Sequence, residues 1–294
     1  MDLGKLDRVA IVGVGLLGGS IGHALRAAGF VGSRVGIGRR ASSLARAMAC
    51  EAVDEITLDA QAGVRGAQMV VLCTPIGEIE DMFRRIAPAL APHTYVTDVG
   101  STKATVVRMA EGLLPARVRF VGSHPIAGSE KTGVEFARAD LFDRALCIVT
   151  PTARTLPGVV RWVRGFWEAL GGVTMVMAPR RHDTLLAQVS HLPHAVATAL
   201  VNLASRGRAI DVAGPGFADV TRVASGDAAM WTDILRTNRG AMIRAVDRLI
   251  GELRCLRDRL EGDEARAVQR WLAAGKEARD EWVANRYRKK VLPP

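Results

Sequence analysis

The sequence predicts an α/β protein: an N-terminal Rossmann-type doubly wound sheet followed by an all-helical C-terminal domain. Three observations carry this. Short apolar runs alternate with helical patterns as far as about Pro151. A G-x-G-x-x-G run, Gly13–Gly18, follows the first apolar run directly. Beyond Met177 the strand-like runs stop and apolar residues recur only at helical spacing. Alternation of strand and helix implies βαβ units and a mostly parallel sheet.

In chain order, strands are predicted at 8–12, 33–37, 68–73, 95–98, 118–121 and 146–150. Each is a short continuous apolar run, as strands covered on both faces should be. Helices are predicted between them at 16–28, 41–49, 78–87 and 103–114. A further helix at 158–170 stops at Gly171-Gly172, and a last strand is placed at 173–177. The alanine-rich stretch 183–204 reads as a helix. After a loop holding Gly214-Pro215-Gly216-Phe217, residues 228–260 read as one long helix with Ile234, Ile243, Val246, Leu249, Ile250, Leu253, Leu256 and Leu260 at helical spacing. A final helix runs from about 263 to 287. The expected division is a dinucleotide-binding domain over 1–177 and a helical substrate and dimerisation domain over 178–294.

The 294 residues are 49% hydrophobic and 24% charged, the composition of a soluble globular protein with a sizeable core. The net charge of +10 comes mostly from scattered arginines. The one dense basic run, Arg286-Tyr287-Arg288-Lys289-Lys290, reads as a solvated helix end, where cations suit the dipole. Zinc-finger spacing and RNA-binding aromatic motifs are missing, so nucleic acid is not an expected partner. Cys50, Cys73, Cys147 and Cys255 form no CxxC pair and read as reduced thiols, which fits a cytoplasmic location. Lys5 and Arg8 precede the apolar run 9–17 as in a signal peptide, but the glycines there fall at fingerprint spacing and no convincing cleavage site follows. Nor does any apolar stretch reach the roughly 20 residues that span a bilayer.

The fingerprint Gly13-Val14-Gly15-Leu16-Leu17-Gly18 assigns the cofactor site. Gly13 permits the tight turn, Gly15 lets a pyrophosphate approach the backbone, and Gly18 lets helix pack on strand. Leu16 and Leu17 open the helix whose free amides would face the pyrophosphate. Thr74 and Pro75 end the run 68–73, at the carboxyl side of a strand where ligands of such sheets bind. The second strand ends in Gly38-Arg39-Arg40, followed by Ser42 and Ser43, in place of the carboxylate that would hold the 2′-hydroxyl of NAD. Two guanidiniums suit a 2′-phosphate, so NADP is favoured over NAD. An arginine stacked on the adenine of NAD is the competing reading.

Two segments carry the chemistry: Asp98-Val99-Gly100-Ser101-Thr102-Lys103 and Ser123-His124-Pro125-Ile126-Ala127-Gly128-Ser129-Glu130. Both follow strand-like runs and would face one crevice, bringing a hydroxyl, an ammonium and an imidazole to the reactive end of a nicotinamide. By itself Ser101 could be a helix N-cap, and His124 a structural histidine. His182, His191 and His194 lie close in sequence, but Pro193 separates the last two and no carboxylate completes a familiar ligand set, so no metal is assigned.

These residues resemble the prephenate/arogenate (cyclohexadienyl) dehydrogenases of tyrosine biosynthesis. The matching pieces are Gly13–Gly18, Asp98–Lys103, the His-Pro-Ile-Ala-Gly-Ser-Glu run at 124–130, Ser190-His191-Leu192-Pro193-His194 and Thr221-Arg222-Val223-Ala224, in the family's order. The resemblance implies oxidative decarboxylation of prephenate and/or arogenate with hydride transfer to NAD(P), giving 4-hydroxyphenylpyruvate or tyrosine. It implies that His124 takes or polarises the hydroxyl proton, Ser101 orients that hydroxyl, and Arg222 binds a carboxylate. His182, His191, His194, Ser129 and Glu130 would line the substrate side, with Glu130 alternatively a solvated loop carboxylate. Trp231 would reach the substrate from a partner subunit or serve as ordinary core. A homodimer through the C-terminal helices is implied as well. Ser225-Gly226-Asp227 departs from the family's Ser-Asp-Pro at this point and alters the local turn. The short stretch after the last helix leaves no room for a regulatory domain, so tyrosine inhibition would act at the active site. Two other classes stay open. A β-hydroxyacid dehydrogenase would rely on a lysine in the helical domain, yet no lysine lies between Lys131 and Lys276. A non-catalytic NAD(P)-binding sensor gives no reason for Ser101, His124 and Arg222 to occur together.

Overall fold

In the computed structural model, which describes residues 3–128 and 131–289, the chain builds a six-stranded parallel sheet in the order β3-β2-β1-β4-β5-β6. The strands are β1 (Arg8–Val12), β2 (Ser33–Ile37), β3 (Glu55–Thr57), β4 (Met69–Leu72), β5 (Tyr95–Asp98) and β6 (Arg119–Phe120). Their helices are α1 (Leu16–Ala27), α2 (Ala41–Ala49), α3 (Ala60–Val64), α4 (Ile76–Ile86) and α5 (Ala104–Leu113). Alternate residues of the central strands feed two cores: Val9, Ile11, Met69 and Val71 point into one, Ala10, Val12, Val70 and Leu72 into the other. That is why these strands are apolar throughout rather than at every second position.

A second, three-stranded sheet was not anticipated. It comprises β7 (Gly122–Pro125), β8 (Leu146–Thr150) and β9 (Val173–Val176), with β7 antiparallel and β9 parallel to β8. The run expected as one strand at 118–121 pairs with β5 only at Arg119 and Phe120, then leaves to start β7. His124 therefore sits on a strand, opposite Ile148, not in a loop. β3 and α3 were also missed, because Glu55-Ile56-Thr57 is a three-residue edge strand with little apolar pattern to read. The helix α6 (Pro157–Ala169) packs Val163, Phe166 and Trp167 into the first core.

The remainder is helical. α7 (Pro179–Leu186) runs through a π-helical turn (Ala187–His191) into α8 (Leu192–Arg206). The wide turn is where Pro193, lacking an N–H, enters the helix. The expected Gly-Pro loop folds into α9 (Pro215–Thr221), with Pro215 in its first turn. The single helix expected over 228–260 is two, α10 (Ala228–Thr237) and α11 (Arg239–Glu261), broken at Asn238, which is buried and whose side chain is used elsewhere. α12 (Ala265–Lys289) follows. The basic run 286–290 read from the sequence extends past the described residues. Only a small core of Ala187, Ala241, Met242 and Ala245 forms here. Leu203, Ile243, Leu253, Leu260, Leu272 and Trp282 are all more than half exposed. Among the described residues no helix is long and apolar enough to cross a membrane.

Candidate active site

Two clusters meet at the carboxyl end of the sheet. The first is a cleft of about 380 Å³ between the ends of β1, β2 and β4. Gly13 has a φ of +93°, and a Cβ on it would lie 2.9 Å from the carbonyl of Cys73, so neither its conformation nor its neighbour admits a side chain. A Cβ at Gly18 would lie 2.2 Å from the Gly13 carbonyl oxygen, so this glycine sets the approach of α1 to the turn. Gly13, Gly15, Thr74 and Pro75 line the cleft, as do Arg39, Arg40, Arg46 and Arg85. Ser43 lines it, whereas Ser42, exposed in the first turn of α2, is not among the lining residues. Leu16, Leu17 and Gly18 stand behind the lining, in the first turn of α1. Thr132, Gly133, Val134 and Glu135 close the opposite side, a contribution with no sequence signature. The carboxylate absent from the end of β2 is supplied in space by α4: Glu78 pairs with Arg39 at 2.7 Å. This open, glycine-floored cradle at the β1/β4 switch point fits a dinucleotide.

The second cluster is a buried network of polar groups. Lys103 and Asp98 form an ion pair with both side chains fully buried. Lys103 Nζ also donates to the Ser123 carbonyl at 2.8 Å. Asp98 accepts from the Gly100 N–H (2.9 Å) and the Ser123 N–H (3.3 Å). The Ser123 hydroxyl donates to the Asp98 carbonyl at 2.6 Å and accepts from Trp167 Nε1 at 3.0 Å. These bonds clamp the end of β5, which leads to Ser101, against β7, which carries His124.

Next to it run the histidines. His124 Nδ1 lies 2.9 Å from His182 Nε2, and His182 Nδ1 lies 2.8 Å from Asp183 Oδ1. A carboxylate only accepts, so His182 carries its proton on Nδ1, and its Nε2 accepts from His124 Nδ1–H. The lone pair of neutral His124 is then on Nε2. Burial holds the His124 imidazole well below the usual histidine range, reinforced by His182, Lys103 and His191. His182 is also lowered by burial, against the raising effect of Asp183, and burial brings His191 down to about 4. All three rings are neutral at pH 7.

Asp183 does more than hold His182. Its Oδ1 accepts from Lys103 N–H at 2.7 Å and its Oδ2 from Ala104 N–H at 2.9 Å, closing the first turn of α5. The N-cap role considered for Ser101 is thus filled from the helical region, and the half-buried Ser101 is not spent on its own helix. Asn238 Nδ2 donates to the Asp183 carbonyl at 2.8 Å and lies 3.1 Å from His191 Nδ1. His194 stacks on Trp231, with ring centres 3.6 Å apart. His191 Nε2 and His194 Nδ1 are buried without a hydrogen-bond partner among the described residues. His182, expected against substrate, is fully buried with both ring nitrogens engaged. Arg222 is exposed on the 3-10 turn Arg222–Ser225, next to Val223, whose backbone hydrogen-bonds His194. Ser129 and Glu130 lie outside the described residues. Asp183 and Asn238 escaped the sequence reading because they act across 80 and 55 residues of chain.

The family model for the prephenate dehydrogenase nucleotide-binding domain matches residues 21–176, and that for the prephenate dehydrogenase dimerization domain matches residues 178–274. Prephenate dehydrogenase of Bacillus subtilis is 34% identical over 93% of this chain and 76% of that one. Prephenate dehydrogenase from A. aeolicus, solved in complex with hydroxyphenyl propionate and NAD+, is 33% identical with a TM-score of 0.87, covering 94% of this chain and 98% of that one. Synechocystis arogenate dehydrogenase is 29% identical with a TM-score of 0.82, covering 94% and 99%. The dry histidine–carboxylate network beside a dinucleotide cleft therefore stands in an oxidoreductase, and the chain belongs to the prephenate/arogenate dehydrogenase family.

Proposed function

We propose that this protein catalyses the oxidative decarboxylation of prephenate and/or arogenate, with NADP favoured over NAD, giving 4-hydroxyphenylpyruvate or tyrosine. The observation that carries the reading is the neutral His124 ring, held in a dry site by a histidine–carboxylate chain beside the cleft. A nicotinamide nucleotide bound in that cleft would supply the hydride acceptor.

The chain's own residues handle the proton and the carboxylates. His124 accepts the ring hydroxyl proton at Nε2 as the carbinol C–H bond gives up its electron pair. The ring carboxylate leaves as carbon dioxide, its electrons pass into the ring to make it aromatic, and His124 returns the proton to the phenolic oxygen. Ser101, whose segment is pinned by Asp183 and Asp98, orients the hydroxyl. His191 and His194 offer their unpartnered nitrogens to the substrate's polar groups, and Arg222 binds a carboxylate through its planar fork. Burial keeps water from competing for these groups.

NADP is supported by four arginines lining the cleft. Glu78 opposes them and is balanced by its pairing with Arg39. The domains are proposed as 1–177 for the nucleotide and 178–294 for substrate and dimerisation. The exposed apolar faces of α8, α11 and α12 support a homodimer. The test is the rate of reduced-nicotinamide formation with prephenate and arogenate, each offered NADP or NAD. Turnover that falls about 10²–10⁴-fold in His124→Ala, with nucleotide affinity kept, is the expected result. No turnover in any of the four combinations would refute the assignment.

A further inference from the structure

We infer that His182 and Asp183 are positioning residues for the reaction: His182 fixes the tautomer of His124, and Asp183 ties that tautomer to the segment carrying Ser101. The inference rests on His124 being the proton acceptor.

The order of groups leaves one arrangement of protons. Asp183 Oδ1 already accepts the Lys103 N–H at 2.7 Å and can only accept again from His182 Nδ1 at 2.8 Å. His182 Nε2 is then an acceptor, 2.9 Å from His124 Nδ1, which must carry its proton. The opposite tautomer of His124 would set two lone pairs against each other at 2.9 Å between buried rings, leaving that contact without a proton. So His182, which is fully buried and has no route to substrate, keeps the reactive lone pair on Nε2.

Charge makes the second argument. When His124 takes a proton, the groups around it are His182, His191 and the Lys103 cation. Asp98 is occupied by Lys103. Asp183 is the carboxylate in line with the new imidazolium, reached through His182, so protonation strengthens both bonds of the chain. The same carboxylate holds the amides of Lys103 and Ala104, immediately after Ser101-Thr102. One side chain from α7 thus sets base and hydroxyl relative to each other, and the backbone carbonyl of the same residue accepts from Asn238 Nδ2.

The test combines ¹⁵N NMR of histidine-labelled protein with steady-state kinetics. His124 signals are identified by their loss in His124→Ala. In the wild type, Nδ1 should be protonated and Nε2 not. His182→Phe should mix the tautomers and lower kcat by about 10²–10⁴-fold with KM little changed, the contribution that a correctly positioned general base makes. His182→Gln, which can accept from His124 and donate to Asp183, should recover activity to within about tenfold of wild type. An Nε2-protonated His124 in the wild type overturns the inference whatever the variants do, so a His182→Phe protein that fails to fold does not shelter it. Full activity in His182→Phe, or no recovery in His182→Gln with nucleotide affinity intact, also overturns it. Turnover surviving in His124→Ala would instead refute the proton-acceptor reading.

Discussion

Replacing Lys103 with methionine removes the cation paired with Asp98 while roughly keeping the volume of its stem. Both partners are fully buried, so water cannot take the place of the ammonium. Breaking a buried ion pair by removing one partner costs about 3–5 kcal/mol. Asp98 would keep the Gly100 and Ser123 amides, which favours the lower end, but the Ser123 carbonyl would lose its donor, adding about 1–3 kcal/mol. The expected loss is therefore about 4 kcal/mol, roughly a thousandfold in the folding equilibrium constant. Asp98→Asn added to Lys103→Met should recover part of it, because removing the unpaired buried charge outweighs one lost bond: Gly100 N–H and Ser123 N–H use different carboxylate oxygens, and the new amide keeps only one. The assay is urea unfolding at pH 7 followed by tryptophan fluorescence. Trp167, hydrogen-bonded to Ser123, reports from beside the pair. A midpoint shift at constant slope reads stability directly. A single-variant loss below about 1 kcal/mol, or a double variant less stable than the single, would refute the view that this pair clamps β5 to β7.

Stability should fall with acid through His191. Its folded value of about 4 lies below the unfolded 6.5, so the stabilisation is complete above pH 6.5 and lost as pH falls towards 4. The difference corresponds to about 3 kcal/mol, and thermal unfolding from pH 7 to 4 should show that loss shrinking in His191→Gln. Gly18→Ala should weaken nucleotide binding by at least tenfold, since its Cβ would push the Gly13 turn; calorimetry with NADP and NAD reads this, and unchanged affinity would contradict the packing role. Arg39→Asp should reverse the nucleotide preference in kcat/KM; a variant that keeps its use of NADP relative to NAD removes the reading of the second strand. Glu78→Gln should shift preference towards NADP by freeing Arg39, again read as a ratio of kcat/KM values.

Local signals made the sheet legible. Runs such as Arg8–Val12 and Met69–Leu72 are apolar at every position because both sheet faces are covered, and the glycine fingerprint marks the turn that follows. The motifs around Ser101, His124 and His191–His194 carried the family resemblance, because residue types and their order along the chain are read directly from the sequence. What they could not say is how the groups connect. His124 turned out to lie on a strand of a second sheet, since four residues, Gly122–Pro125, pair with a partner more than twenty residues ahead. His182 looked like a substrate contact from its nearness to His191; folding put it behind His124 and left it no surface. Asp183 carries no motif, and its importance comes from reaching two amides 80 and 79 residues back in the chain. Glu78 likewise arrives beside Arg39 by way of α4. Sequence alone determined the central strands, the glycine turn and the motif-borne reactive groups, because backbone preference and residue type are local properties. Which nitrogen faces which oxygen, and which charges share a dry site, only the tertiary structure decided, because hydrogen bonds and burial depend on distances that the chain sets across tens of residues.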